Sequence, residues 1–247
     1  MAEEKTPEQI QAEIKKAKAE AKRNEAEAQK LAAEARKAAA EATVAEIVRE
    51  REEKKRTAER ASDEENHVYR FTDKVTSESV RKCITKLTEW HRISPDCDIE
   101  IVFFSPGGSI IDGMALFDFI QDLRVSHTVT TGCTGMAASM AGILLQAGDI
   151  RWTGEQSWIM IHRAAFGAAG KTFEVEDEVE FVKRIEARIL DIFVLRSKLT
   201  AAKIKRNWDR RDWWISSEEA LKLGLVDEVR GQLPRPSGEP DRSDPVV

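Results

Sequence analysis

The chain has 247 residues, 41% of them hydrophobic and 34% charged, with a net charge of −5. That length holds one fair-sized domain and a non-globular portion, and charges of both signs are interleaved, which excludes the one-sign basic stripe of a nucleic-acid binder. No basic segment followed by an apolar core opens the chain and no apolar run approaches the ~20 residues that span a bilayer, so the expectation is a soluble, cytoplasmic protein with no membrane partner.

Residues 1–66 read as a helical arm and linker. Every glycine lies at or after Gly107 and no proline falls between Pro7 and Pro95, so the first part lacks the punctuation of tight turns. Residues 6–61 are mostly Ala, Glu, Lys, Arg and Gln, all strong helix formers, and Thr6-Pro7-Glu8-Gln9 offers an N-cap, a first-turn proline and a capping box. Steps of four and three from Ile10 reach Ile14, Ala17, Ala21, Asn24, Ala28, Leu31 and onward to Ala45, a 3.5-residue repeat over about five heptads. Asn24 is its one polar member, the kind of residue that sets register or oligomer state. A coiled-coil arm with a coiled-coil partner is the expectation, and its rival is a solvated single helix in which abundant alanine makes most frames look apolar.

The globular part is expected over residues 67–230. His67-Val68-Tyr69-Arg70-Phe71 alternates as a strand does, a helix follows from Thr76 to about Arg92, and a strand over residues 98–104 runs into Ser105-Pro106-Gly107-Gly108. Next come a helix over 111–123 and a strand over 127–131. A turn of small residues from Gly132 to Gly135 then leads into a helix about Ser139. Short strands near Arg151-Trp152 and over 158–162 precede a long amphipathic helix, 173–199, and a shorter one, 201–212. Residues 216–229 read as a capping box, a helix stopped by Gly224 and a last strand. Strands alternating with helices imply an α/β fold on a mixed or parallel sheet. From residue 231 to 247 prolines recur in a polar run, expected to be a disordered tail.

Among these elements one group has the parts of a serine hydrolase. That chemistry needs a hydroxyl, a base, a carboxylate to orient the base and two donors for the oxyanion. Ser139 stands among near-featureless neighbours where a helix begins, and unpaired N–H groups at such a start favour negative charge. His162 closes the apolar run Trp158-Ile159-Met160-Ile161, where a polar residue needs a reason to be. Asp209, Asp212 and Asp227 all qualify as the carboxylate by spacing, Asp212 having the bulky rings of Trp213 and Trp214 to shield it. Pro106-Gly107-Gly108 follows a strand as a loop does when backbone must approach a substrate, and its partner donor is the N–H of Met140. The bland alternatives are close helix packing for the small residues, a satisfied strand-end histidine and an arginine-paired surface aspartate. Cys83, Cys97 and Cys133 have neither the even count of a disulfide framework nor metal-ligand spacing, and no cofactor or metal is expected.

The blocks Ser105-Pro106-Gly107-Gly108-Ser109, Gly135-Met136-Ala137-Ala138-Ser139-Met140, Met160-Ile161-His162, Arg211-Asp212 and Gly224-Leu225-Val226-Asp227 occur in an order that resembles the Clp protease proteolytic subunit family, ClpP. The resemblance covers about residues 67–229. It implies a crotonase-like spiral of ββα units with a helical handle over 173–199, stacked homo-oligomeric rings around a chamber, and cleavage of protein or peptide substrates. It further implies the roles: Ser139 nucleophile, His162 base, Asp212 acid, Gly108 and Met140 oxyanion donors. Two departures stand out. Glu100 and Val102 occupy positions where the family carries aromatic sockets for a Clp-type AAA+ unfoldase, and the arm replaces a short axial loop. Alternatives on the same fold are a phage-type capsid (prohead) maturation protease, a catalytically silent assembly protein and an acyl-CoA hydratase or isomerase. The last has no use for Ser139 and His162. A Ser-Lys peptidase would need a lysine facing the serine, and Lys171 lies beyond the motif region.

Overall fold

A computed structural model describes residues 7–232; the cap expected at Thr6 with Gln9, and the tail from residue 233 onward, lie outside what it describes. The chain divides into two units after Ser62. In the first, a single helix α1 (Pro7–Arg60) runs without interruption, and every side chain described in it is exposed. Good helix formers and spaced pairs such as Lys30–Glu34, Lys37–Glu41 and Lys55–Glu59 suit a helix surrounded by water.

The second unit alternates strands and helices. In order these are β1 (Val68–Phe71), α2 (Ser77–Ile93), β2 (Ile99–Ser105), α3 (Ile110–Leu123), β3 (Val129–Ala138) and α4 (Met140–Leu144), which continues into a 3-10 turn, Leu145–Ala147. Then follow β4 (Ile150–Gly154), β5 (Trp158–Ile161), α5 (Thr172–Arg196), α6 (Ala201–Trp208), β6 (Trp213–Ser216), α7 (Ser217–Leu223) and β7 (Glu228–Arg230). The strands join as β1-β2-β3-β4-β7, all parallel, while β5 pairs with the later part of β3 and β6 lies antiparallel on β5. Alternation sends Ile99, Ile101 and Phe103 of β2 into a core shared with Leu87, Leu116, Ile120 and Leu144, all fully buried. Two helix starts carry the expected caps: Thr76 accepts from Ser79 N–H, and Ser216 from Glu219 N–H. Gly224 closes α7 in the left-handed region at φ 70°.

Two expectations are corrected. The strand read over 127–131 extends to Ala138, so the small residues from Gly132 to Gly135 are strand, and the helix after Ser139 is only five residues long. Their smallness answers to crowding: a Cβ on Gly132 would sit 2.1 Å from the Trp152 ring. The helix read over 201–212 ends at Trp208, and Trp213–Ser216, where no strand is expected, forms one. Buried Ile215 opposite Ile159 on β5 is what makes extended backbone the better choice there.

Asp63 and Glu64, read as linker, belong to the second unit. Asp63 accepts two hydrogen bonds from Arg70, and Glu64 accepts from Trp90 Nε1–H at 2.9 Å and from Lys86. Among the described residues no helix is long and apolar enough to cross a membrane, and all three cysteines are free.

Candidate active site

β3 ends at Ala138 and α4 begins at Met140, leaving Ser139 alone at the turn with φ 55° and ψ −122°. A non-glycine residue there costs on the order of 1–3 kcal/mol and persists only where its surroundings over-determine it. Here they do: Ser139 N–H donates to Met160 O at 2.9 Å, and Ser139 O accepts from Gly142 N–H at 3.0 Å. A sharp strand-to-helix turn of this kind thrusts the side chain away from the sheet. Gly107, at φ 84°, fits against it where nothing larger can, since a Cβ would come within 2.7 Å of Ser139 Cβ.

The sheet brings the base alongside. Ala138 is opposite Met160 in the β3–β5 register, so His162, just past β5, reaches the turn, and its Nε2 lies 2.7 Å from Ser139 Oγ. Ile161 is opposite Trp213 in the antiparallel β5–β6 pair, so the next residue out on each strand, His162 and Asp212, face one another. Their separation, 3.9 Å from Nδ1 to Oδ1, exceeds hydrogen-bond reach, and the Asp212 side chain is 56% exposed. The shielding expected from Trp213 and Trp214 is therefore absent; strand alternation leaves Trp214 itself 45% exposed. The other two aspartates face elsewhere. Asp209 lies 3.9 Å from Arg163, and Asp227 accepts both a side-chain fork and a backbone N–H from Arg151.

Two backbone donors flank the hydroxyl. In the bridge between Val75 and Gly108 the hydrogen bonds run from Val75 N–H to Gly107 O and from Ser109 N–H to Val75 O. Gly108 thus turns its own N–H away from Val75. Met140 N–H is the first of α4 and has no acceptor within the helix. Gly108, Ser139, Met140 and His162 share one cavity, whose wall is otherwise mostly apolar, with Ile110, Ile143, Ile189 and Phe193, and carries one charged residue, Arg163. On the far side of His162 and Asp212 a second depression carries Arg163, Lys183, Arg210 and Arg211. Glu186 accepts from Arg163 at 2.9 Å and holds its guanidinium more firmly protonated than usual.

Cys133 is no rival nucleophile, because it is buried and that burial pushes its thiol up to about 12. Lys171 stands at the start of α5, its Nζ over the Phe173 ring. No group of three or more potential metal-ligating side chains occurs among the described residues. His127, read as entering an ordinary strand, is buried beside His91, ring nitrogen to ring nitrogen at 2.7 Å, with its Nδ1 on Cys97 O. Sequence reasoning missed β6, whose signal was present in Trp213-Trp214-Ile215 ending on a serine cap. Gly107's fit to Ser139 had no signal beyond the residue itself.

The family described as Clp protease matches residues 50–232 of this chain. An ATP-dependent Clp protease proteolytic subunit of Deinococcus radiodurans is 33% identical over 160 residues, covering 64% of this chain and 77% of that protein. One from Bacteroides fragilis (strain ATCC 25285) is 36% identical over 139 residues, covering 56% and 66% respectively. The ATP-dependent Clp protease proteolytic subunit 2 of Synechococcus sp. (strain CC9605) is 35% identical over 167 residues, covering 65% and 81%.

Proposed function

Because the chain belongs to the Clp protease family and is a serine-type peptidase, we propose that it cleaves peptide bonds with Ser139 as nucleophile and His162 as general base. The observation that carries this reading is the 2.7 Å contact between Ser139 Oγ and His162 Nε2 at a strained strand-to-helix turn. His162 takes the hydroxyl proton on Nε2 as Oγ attacks the carbonyl, then gives it to the leaving amine; water repeats the sequence on the acyl-enzyme. Accepting on Nε2 requires Nδ1 to carry the other proton, and Asp212 on that side favours this tautomer and the imidazolium that forms. Gly108 and Met140 N–H groups receive the oxyanion.

The apolar part of that wall, Ile110, Ile143, Ile189 and Phe193, supports an apolar substrate side chain next to the scissile bond. Peptide or protein substrates reaching a chamber inside homo-oligomeric stacked rings complete the proposal. A Clp-type unfoldase that docks through aromatic sockets would meet Glu100 instead. Its Oε1 is held by Trp152 Nε1–H at 2.7 Å and by Arg230 at 2.8 Å, with the Arg230 guanidinium over the Trp152 ring. The proposed activity is accordingly one that short peptides elicit without such a partner.

Ser139→Ala tests the reading. Hydrolysis of a fluorogenic peptide with an apolar residue before the cleaved bond is expected to fall by about 10⁴ to 10⁶. Melting temperature should hold, since only a hydroxyl is lost. Substantial residual turnover would mean a different nucleophile.

A further inference from the structure

α4 has five residues, and a helix this short is marginal by itself. What holds it lies just past its far end, where side chains from three other elements meet the carbonyls of the 3-10 turn that continues it, and of Gly148, one by one. Thr131 of β3 donates its hydroxyl to Leu145 O at 2.7 Å, and Gln121 of α3 donates Nε2–H to Ala147 O at 2.9 Å. Arg196, the last residue of α5, donates Nε–H to Gln146 O at 3.0 Å and its terminal nitrogen to Gly148 O. Gln146 itself is fully buried. Its amide donates to Gly142 O, back inside α4, and its Oε1 accepts from Arg151 at 2.8 Å. Arg151 also donates to Arg196 O, so the end of α5 and the end of the 3-10 turn are tied together twice.

The opposite end of the same short segment presents Met140 N–H beside Ser139. A donor aimed at a developing oxyanion works through its placement, and loss of a whole donor costs about 10² to 10³ in kcat. We propose that Arg196, seconded by Thr131, is a positioning residue for catalysis. It clamps the 3-10 turn that continues α4 and so sets where Met140 N–H, at the start of α4, stands when the oxyanion forms, which makes the chemical step depend on how α5 is seated. The inference rests on the proposed roles of Ser139 and Met140. Arginine suits the task because its planar fork spans Gln146 O and Gly148 O together, whereas lysine brings a single charged point on a flexible stem.

The test uses full-length protein and the variants Arg196→Gln, Arg196→Lys and Thr131→Val. Competent sites are first counted by fluorophosphonate titration at Ser139. Next, kcat per titrated site, KM for a short peptide and affinity for a peptide boronate, a tetrahedral mimic, are measured. Arg196→Gln should lower kcat per site by roughly ten-fold, a fraction of what removing the donor costs, with KM unchanged and boronate affinity falling in step. Arg196→Lys should fall between, and Thr131→Val should show the same split to a smaller degree, which serves if Arg196→Gln does not fold. A merely structural role would reduce the number of titratable sites and leave kcat per site alone; that result in the folded variants overturns the inference. Wild-type protein that takes no label at Ser139 overturns the catalytic reading itself and this inference with it.

Discussion

Asp212 stands 3.9 Å from His162 and more than half in water, while the Ser139–His162 contact is already at hydrogen-bond distance. Catalytic hydrogen bonds are often long before substrate binds, so this gap is compatible with the proposed orienting role of Asp212. Asp212→Asn is expected to lower kcat by about 10² to 10⁴ with little change in KM, because an amide does not favour the tautomer that serine activation needs. Steady-state kinetics with a short peptide decide it. A near-normal enzyme would show that Asp212 does not orient His162. The Ser139–His162 contact had signals in the sequence for physical reasons: a hydroxyl among residues too small to hide it, and a polar side chain closing an apolar strand. The choice among Asp209, Asp212 and Asp227 had none. Their spacing to His162 says nothing about which strand returns beside β5, and only the Ile161–Trp213 register separates them.

Strands were where sequence patterns misled. Residues 132–135 look like a turn because they are small, yet Gly132 is small because Trp152 crowds it and Gly135 because the Phe104 ring does, which are tertiary causes. β6 falls in the gap between the helix expected over 201–212 and the cap expected at Ser216, where three residues are too short a run to show a period. A further element-level tie is Arg151 on β4 with Asp227 ahead of β7. Burial works to raise the Asp227 carboxyl, and the hydrogen bonds from Arg151 outweigh it, so Asp227 titrates below the ordinary aspartate range. A carboxylate depressed by folding stabilises fully above the unfolded value of ~3.9 and loses that contribution as pH falls through its folded value. Asp227→Asn should therefore lower the urea midpoint at neutral pH. The cost is about 1–2 kcal/mol, discounted from the ~3–5 kcal/mol of a fully buried broken pair because the Asp227 side chain is 43% exposed. The variant's midpoint should change less than the wild type's below about pH 4. Parallel midpoint-versus-pH curves would show that the pair contributes no acid sensitivity.

For the molecule as a whole, the long helix was legible from absences, since no glycine and only Pro7 among prolines precede Pro95. What the arm binds was not, because an alanine seam packs with many partners or none. Ile10, Ile14 and Leu31 lie on one side of α1, whereas Val44, Ile47 and Val48 are turned well away from that stripe at ~100° per residue, so no single apolar face runs its length. Deleting residues 1–62 keeps the Asp63–Arg70 and Glu64–Trp90 contacts, and is expected to leave melting temperature and peptide hydrolysis at the full-length level. Sedimentation of the same truncation reads assembly. Loss of assembly or activity would show that the arm organises the oligomer, as in a scaffolded, capsid-type role.

The most direct test of the central claim is to treat folded, full-length protein with a fluorophosphonate probe and locate the adduct by peptide mass spectrometry. The expected result is one adduct, on Ser139, formed by the native protein and lost on unfolding or in Ser139→Ala. Native, monodisperse protein that takes no label at Ser139, or takes it on another serine, would contradict the claim that this turn presents an activated nucleophile.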